Sequence, residues 1–95
     1  MAAYLIADAE IVDSATFDEY KRRVEPVIAK FGGRYLVRGG PHTVFEGDFK
    51  PHRLVMIEFP NMQAVTAFYH SPEYAPVLAL RLPAAKMRLL AVDGV

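Results

Sequence analysis

Asp8, Arg34, Arg38 and Glu58 are charged residues set among apolar ones in short segments that read as extended chain. Charge carried on such segments is chemically meaningful wherever the segment turns it inward. A buried charge without a partner costs several kcal/mol, so it must meet an opposite charge, water or a ligand. Arginine's planar fork suits a carboxylate or enolate, and a neighbouring carboxylate such as Glu58 has the chemistry of a general base. His42 is the second catalytic candidate, because it follows Gly39-Gly40, where backbone can come close to a bound molecule. Tyr69 sits with Ser71 and Tyr74 at a break in an apolar segment, a place from which a tyrosine hydroxyl can gate a pocket. Asp8, Arg34, Arg38, Glu58 and Tyr69 therefore form the candidate ligand-binding set. Each has a plainer alternative. The charges can form a structural salt-bridge network or lie solvated at strand ends, the glycine pair can serve only a bend, and the tyrosines can be half-buried core. Ser71 reads better as a helix cap than as a nucleophile, since no histidine–carboxylate pair is identifiable for it.

Other chemistries find no residues. The chain has no cysteine, which removes disulfides, thiolate catalysis, iron–sulfur clusters and zinc–thiolate sites. His42, His52 and His70 lack the spacing of a metal-binding motif, so no metal is expected. Neither Gly32-Gly33 nor Gly39-Gly40 belongs to a phosphate-binding loop, so no nucleotide, flavin or other cofactor is expected. Eleven basic residues balance eleven acidic ones, leaving no electrostatic footprint for nucleic acid or anionic lipid. No stretch approaches the ~20 apolar residues of a membrane span, and residues 1–8 carry no signal-peptide pattern. A cytoplasmic protein is the expectation.

The elements that position these residues follow from periodicity. Residues 3–12 alternate as a strand, with Leu5, Ala7, Ala9 and Ile11 on one face and Tyr4, Ile6, Asp8 and Glu10 on the other. Asp13 and Ser14 offer cap oxygens, and Thr16 with Glu19 has capping-box spacing. Phe17, Tyr20, Val24, Val27, Ile28 and Phe31 then recur as a helical stripe. Pro26 lies within it and predicts a kink near Arg22, and Gly32-Gly33 ends it. A second strand spans Arg34 to Arg38, with Arg34, Leu36 and Arg38 on one face. Gly39-Gly40-Pro41 interrupts it, Thr43 to Glu46 resumes it, and a bulge or bend is expected between them. Arg53 to Phe59 is the third and most apolar strand, with Leu54, Met56 and Glu58 sharing a face. Asn61 caps a second helix whose inner face is Met62, Val65, Phe68 and Tyr69. Ser71-Pro72-Glu73 starts a further short helix, limited by Pro76 and Pro83, and Met87 to Val92 is the last strand.

The resulting order is that of a single α+β domain over residues 1–95, ferredoxin-like βαββαβ, with a four-stranded antiparallel sheet and helices on one face. The other face is bare. With 53% hydrophobic residues in a chain of 95, a second copy of the same sheet is the simplest cover, and twofold pairing is the commonest oligomer. If the faces align, Asp8, Glu10, Arg34, Arg38 and Glu58 look into the space between two sheets, with Arg38 beside Glu58.

Particular runs carry a family likeness. Gly-Gly-Arg-Tyr-Leu-Val-Arg-Gly-Gly (32–40), Val-Met-Ile-Glu-Phe-Pro (55–60) and Phe-Tyr-His-Ser-Pro-Glu-Tyr (68–74) resemble domain-of-unknown-function family 1330. So do Glu46-Gly47 with Phe49, Pro51 and Arg53, and Leu80-Arg81. Phe49 departs from the family's more frequent tryptophan, and His70 from a shorter polar residue. The resemblance implies a dimeric α/β barrel whose relatives include cofactor-free monooxygenases and small isomerases, and it implies no particular reaction. The expected function is the binding of a small, partly apolar or anionic molecule between the two sheets, with cofactor-independent catalysis of the monooxygenase or isomerase kind as its enzymatic form. The alternatives are a non-catalytic binding module and a dimeric accessory protein.

Overall fold

Alternation of small apolar residues with larger ones sets the first strand. In the computed structural model, which describes residues 1–95, β1 (Ala3–Ile11) buries Ala3, Leu5, Ala7 and Ala9 on one side. Asp13 then caps helix α1 (Ser14–Lys30): its carboxylate accepts from the Thr16 backbone N–H and from the Thr16 hydroxyl. The capping box read from Thr16 and Glu19 does not form. Thr16 lies inside the helix, and Glu19 pairs with Arg22. Pro26 does not end the helix, which runs on to Lys30 and buries Phe17, Tyr20, Val24 and Ile28. Gly32 takes a left-handed φ of 83° and closes α1 with backbone bonds to its last turn. Gly33 is needed for a different reason. A Cβ there would meet Ile28 at 2.7 Å and the Phe59 ring at 2.9 Å.

Strands β2 (Arg34–Arg38) and β3 (Leu54–Phe59), helices α2 (Met62–Tyr69) and α3 (Ala75–Ala84), and strand β4 (Ala85–Asp93) complete the chain. The sheet order is β2-β3-β1-β4, with every neighbouring pair antiparallel. This is the ferredoxin-like arrangement, with its second helix broken in two. The break is built by Ser71, whose buried hydroxyl donates to the Phe68 carbonyl at 2.8 Å and accepts from the Tyr74 N–H at 3.0 Å. Ser71-Pro72-Glu73 does not start the next helix as expected: Ser71 closes a turn, and α3 begins at Ala75 after Tyr74, which makes no side-chain cap bond. β4 follows α3 without a linking residue.

Two expectations for the middle of the chain fail. The strand does not resume at Thr43–Glu46: residues 39–53 form one irregular, largely exposed connection, and β3 begins at Leu54 rather than Arg53. Glycine and proline at 39–41 leave no ladder to resume. The bulge lies earlier than the glycines. Arg34 faces Glu58 and Tyr35 faces Ile57, but Val37 faces Met56, so the register shifts between Tyr35 and Val37.

Helices and sheet share one core, including Leu5, Ile57, Phe59, Val24, Phe68 and Val77. Only 19 of 95 residues are buried, because the molecule is a slab of 37 × 36 × 17 Å with one sheet face uncovered. That open face exposes Leu90 and Val92, and the edge strand adds Leu36 and Val37. No helix is long and apolar enough to cross a membrane.

Candidate functional site

The helix-covered side of the sheet does not close completely. Ala7 and Ala9 on β1 are too small to reach the helices, and Val55 and Ile57 of β3 continue the same floor. The roof comes from Phe17, Tyr20 and Val24 of α1 and from Tyr74 and Arg81 around α3. Between them lies a cavity of about 50 Å³ whose lining is mostly apolar: 15 of its 19 residues are hydrophobic, so each polar group in it stands out. A water needs roughly 10–15 Å³ measured this way, so the space admits a group of a few heavy atoms.

The polar groups are few and all are donors or hydroxyls. The Tyr20 and Tyr74 hydroxyls bond each other at 3.0 Å in the buried interior. Burial pushes the Tyr20 phenol well above its ordinary value, and the Tyr74 hydroxyl pushes the same way. Tyr20 therefore stays protonated and available as a donor. Tyr35, also in the lining, is raised chiefly by burial against an opposing pull from Arg38. Arg81 is the one buried cation, at 4% exposure, and its Nε–H has no hydrogen-bond partner. It occurs one turn after Val77 and three residues before Ala84, the two other buried residues of α3. Lys21, Arg38 and Arg53 complete the charged lining. Lys21 pairs with Asp18 at 3.1 Å and Arg38 with Glu25 at 3.1 Å. Neither a carboxylate nor a histidine lines the cavity.

The residues singled out by sequence divide between the two sides of the sheet. Arg38 was expected on the open face beside Glu58, and this is corrected: the bulge after Tyr35 turns Arg38 to face Val55, onto the helix side. There it reaches Glu25 and stacks on the Tyr35 ring at 4.3 Å. One added residue reverses the faces of everything beyond it. Tyr69 also lines the cavity, so Arg38 and Tyr69 are the two members of the candidate set that the fold brings to it. Glu58 stays on the open face and pairs with Arg34, Nε to Oε1 at 2.8 Å. Arg34's hydrogen bond holds the Glu58 carboxyl below its usual range, against a small opposing effect of burial. Its expected neighbour is thus replaced by the residue directly opposite it.

Asp8 is committed to the backbone. Its Oδ1 accepts from the N–H groups of His52 at 2.7 Å and Arg53 at 3.0 Å, and Arg88 lies 3.6 Å from Oδ2. Partial burial pushes its carboxyl up, but these donors and charges outweigh it and hold the carboxyl below 3.8. Asp8 thereby fastens the end of the 39–53 connection to β1, beside a wide groove on the open face that also includes Asp48, Phe49 and Lys50. His42 lies exposed in that connection and lines neither the cavity nor the groove.

Sequence reasoning missed Tyr20, which it took as plain core, and Arg81. For Arg81 a signal existed: it is a lone charge in Ala-Pro-Val-Leu-Ala-Leu-Arg-Leu-Pro-Ala, at helical spacing from Val77.

The family model for Domain of unknown function (DUF1330) matches residues 2–95. The chain belongs to this family. Among solved structures, it is similar to RPA0582 of Rhodopseudomonas palustris, a protein of unknown function, at 17% identity and a TM-score of 0.77, covering 99% of this chain and 82% of that one. SnoaB of Streptomyces nogalater, a cofactor-independent oxygenase, shares 12% identity at a TM-score of 0.70, covering 99% and 93%. A dimeric ferredoxin-like protein of unknown function from Jannaschia sp. CCS1 shares 12% identity at 0.70, covering 99% and 100%. At such identities these structures share the fold with the DUF1330 chain. No curated protein matches it.

Proposed function

We propose that the protein is a homodimer joined through the open face of its sheet, and that each subunit holds a small, mainly apolar molecule in the cavity between its sheet and its helices. The observation that carries the ligand reading is the cavity itself: an apolar space over an alanine floor, with two buried tyrosine hydroxyls and a buried guanidinium converging on it. Small-molecule sites have this make-up, apolar walls with a few placed polar groups. The lining holds no residue that would take a proton at neutral pH, so the reading is of binding. This relocates the ligand from the inter-sheet space to the helix side. The dimer reading rests on the apolar open face and on similar structures described as dimeric.

Two measurements test the proposal. Light scattering at micromolar concentration should give about twice the 10.6 kDa chain mass, and Leu90→Lys should give a folded monomer. A wild-type monomer, or an unaffected dimer in the variant, refutes the interface. Titration with neutral isopropanol, small enough for the cavity, should move the methyl resonances of Ala7, Val24 and Val55 saturably, and Ala7→Leu should abolish the shifts. Shifts confined to Ile6, Met56 and Leu90 would return the site to the open face.

A second reading is catalytic. SnoaB has this fold and is a cofactor-independent oxygenase. In that case the Tyr20–Tyr74 pair would be the proton donor, as it is the buried hydroxyl pair at the cavity. Oxygen uptake on adding small enolisable hydroxyketones such as hydroxyacetone, lost in Tyr20→Phe, is the expected result, and no uptake with any of them removes this reading.

A further inference from the structure

Arg81 is the least explained residue in the molecule. It is 96% buried by the 4% exposure of its side chain and backbone together, it lines the cavity, and its Nε–H is unpartnered. It takes part in none of the chain's seven ion pairs. Its neighbours sharpen the point. Burying a guanidinium is unfavourable without an anion or acceptors around it, yet α3 places it among Val77, Ala84 and the aromatic rings of the roof. A positively charged group kept in an apolar space is what a protein needs to recognise a negative charge there. Arginine also keeps its charge under all working conditions.

We infer that Arg81 is the anion-recognition residue of the cavity, and that the ligand is a compact organic monocarboxylate whose apolar body lies over Ala7 and Ala9. This deepens the cavity-binding reading and rests on it. The chemistry of the lining selects the class. The terminal amino groups of the guanidinium, which unlike Nε are not shut off from water, offer parallel N–H donors that match the two oxygens of a carboxylate. Of the two protons in the Tyr20–Tyr74 pair, one is used between the hydroxyls and the other is free to donate to the same anion. No lining carboxylate competes for Arg81. A dianion or a phosphate would bring more charge than one buried guanidinium balances, and an amine would meet repulsion. Arg53 strengthens the field at the cavity's rim: it lines the cavity, forms no ion pair, and lies over the Phe17 ring at 5.6 Å.

The experiment compares acetate and propionate, whose four and five heavy atoms suit a cavity of about 50 Å³, with their neutral amides, acetamide and propionamide, on the full chain. Wild type should bind each acid anion more tightly than its amide by about tenfold or more, the worth of a charge-assisted hydrogen bond. The resonances of the Arg81 terminal N–H groups should move downfield only with the anions. In Arg81→Met the preference should vanish while the amides still bind, and Arg81→Lys, which keeps charge but loses the fork, should recover only part of it. Equal binding of acid and amide in wild type overturns the anion assignment and leaves the cavity reading standing. Absence of binding by all four compounds and by isopropanol removes the cavity reading instead. If Arg81→Met does not fold, the wild-type preference and the shift of the terminal guanidinium resonances decide the matter without it.

Discussion

The Tyr20–Tyr74 hydroxyl pair makes a double-mutant cycle decisive. Tyr74 is 2% exposed and Tyr20 9%, and their oxygens are 3.0 Å apart. Tyr20→Phe removes one hydroxyl and leaves the other buried without its partner. Orphaning a buried polar group costs about 1–3 kcal/mol, whereas replacing both partners by apolar groups of the same shape can be nearly neutral. Each single variant should therefore lose about 1–3 kcal/mol. The double variant should lose no more than either one, giving a coupling energy at least as large as the bigger single loss, about 1–3 kcal/mol. In a domain of this size each kcal/mol lowers Tm by about 4–8 °C. Urea unfolding at one fixed protein concentration reads the cycle, since the stability of the proposed dimer would depend on concentration, and the m-value should not change. Tyr69→Phe, half-buried at the cavity edge, serves as the control and should fall within about 0.5 kcal/mol of wild type. Strictly additive losses in the two single variants would show that the hydroxyls do not depend on each other, and the donor role assigned to the pair would fall with that result.

Asp8→Asn keeps the acceptor oxygen and removes the charge. Because the folded carboxyl is held below its unfolded value of 3.8, its contribution is present above pH 3.8 and is lost as pH falls through the lower folded value. The stability gap between wild type and Asp8→Asn should thus be open at pH 6 and close below pH 3.8, and a gap independent of pH would contradict the assignment. Glu58→Gln should couple to Arg34→Met and not to Arg38→Met, while Arg38→Met should couple to Glu25→Gln. Coupling between Arg38 and Glu58 in unfolding measurements would mean that the bulge at Tyr35–Val37 is absent. Gly33→Ala should cost about 1–3 kcal/mol through overpacking against Ile28 and Phe59, and an unfolding midpoint equal to wild type would show that α1 and β3 can separate there.

The order of the elements was legible because it depends on local signals. Alternation from Ala3, a helical stripe from Phe17, the stop at Gly32 and the caps at Asp13 and Asn61 each act within a few residues. The same holds for most of the inward face of β1: Leu5, Ala7 and Ala9 were read as facing helices, and they do, while Ile11, read with them, is exposed at the strand end. The runs 32–40, 55–60 and 68–74 likewise pointed to the DUF1330 family from sequence. The site was not legible, because it depends on how distant segments meet. A single extra residue in β2 moved Arg38 from one side of the sheet to the other, and periodicity carries no mark of where a ladder slips. Glu58 took its partner from strand register, Arg34 directly opposite. Asp8 was claimed by backbone N–H groups more than forty residues away. Arg81 and Tyr20 looked like ordinary helix residues until α1 and α3 were laid over the alanines of β1, leaving an apolar space with a charge in it. Local periodicity determined which residues face inward; only tertiary packing decided which of them meet, since a cavity is the space that packed surfaces fail to fill.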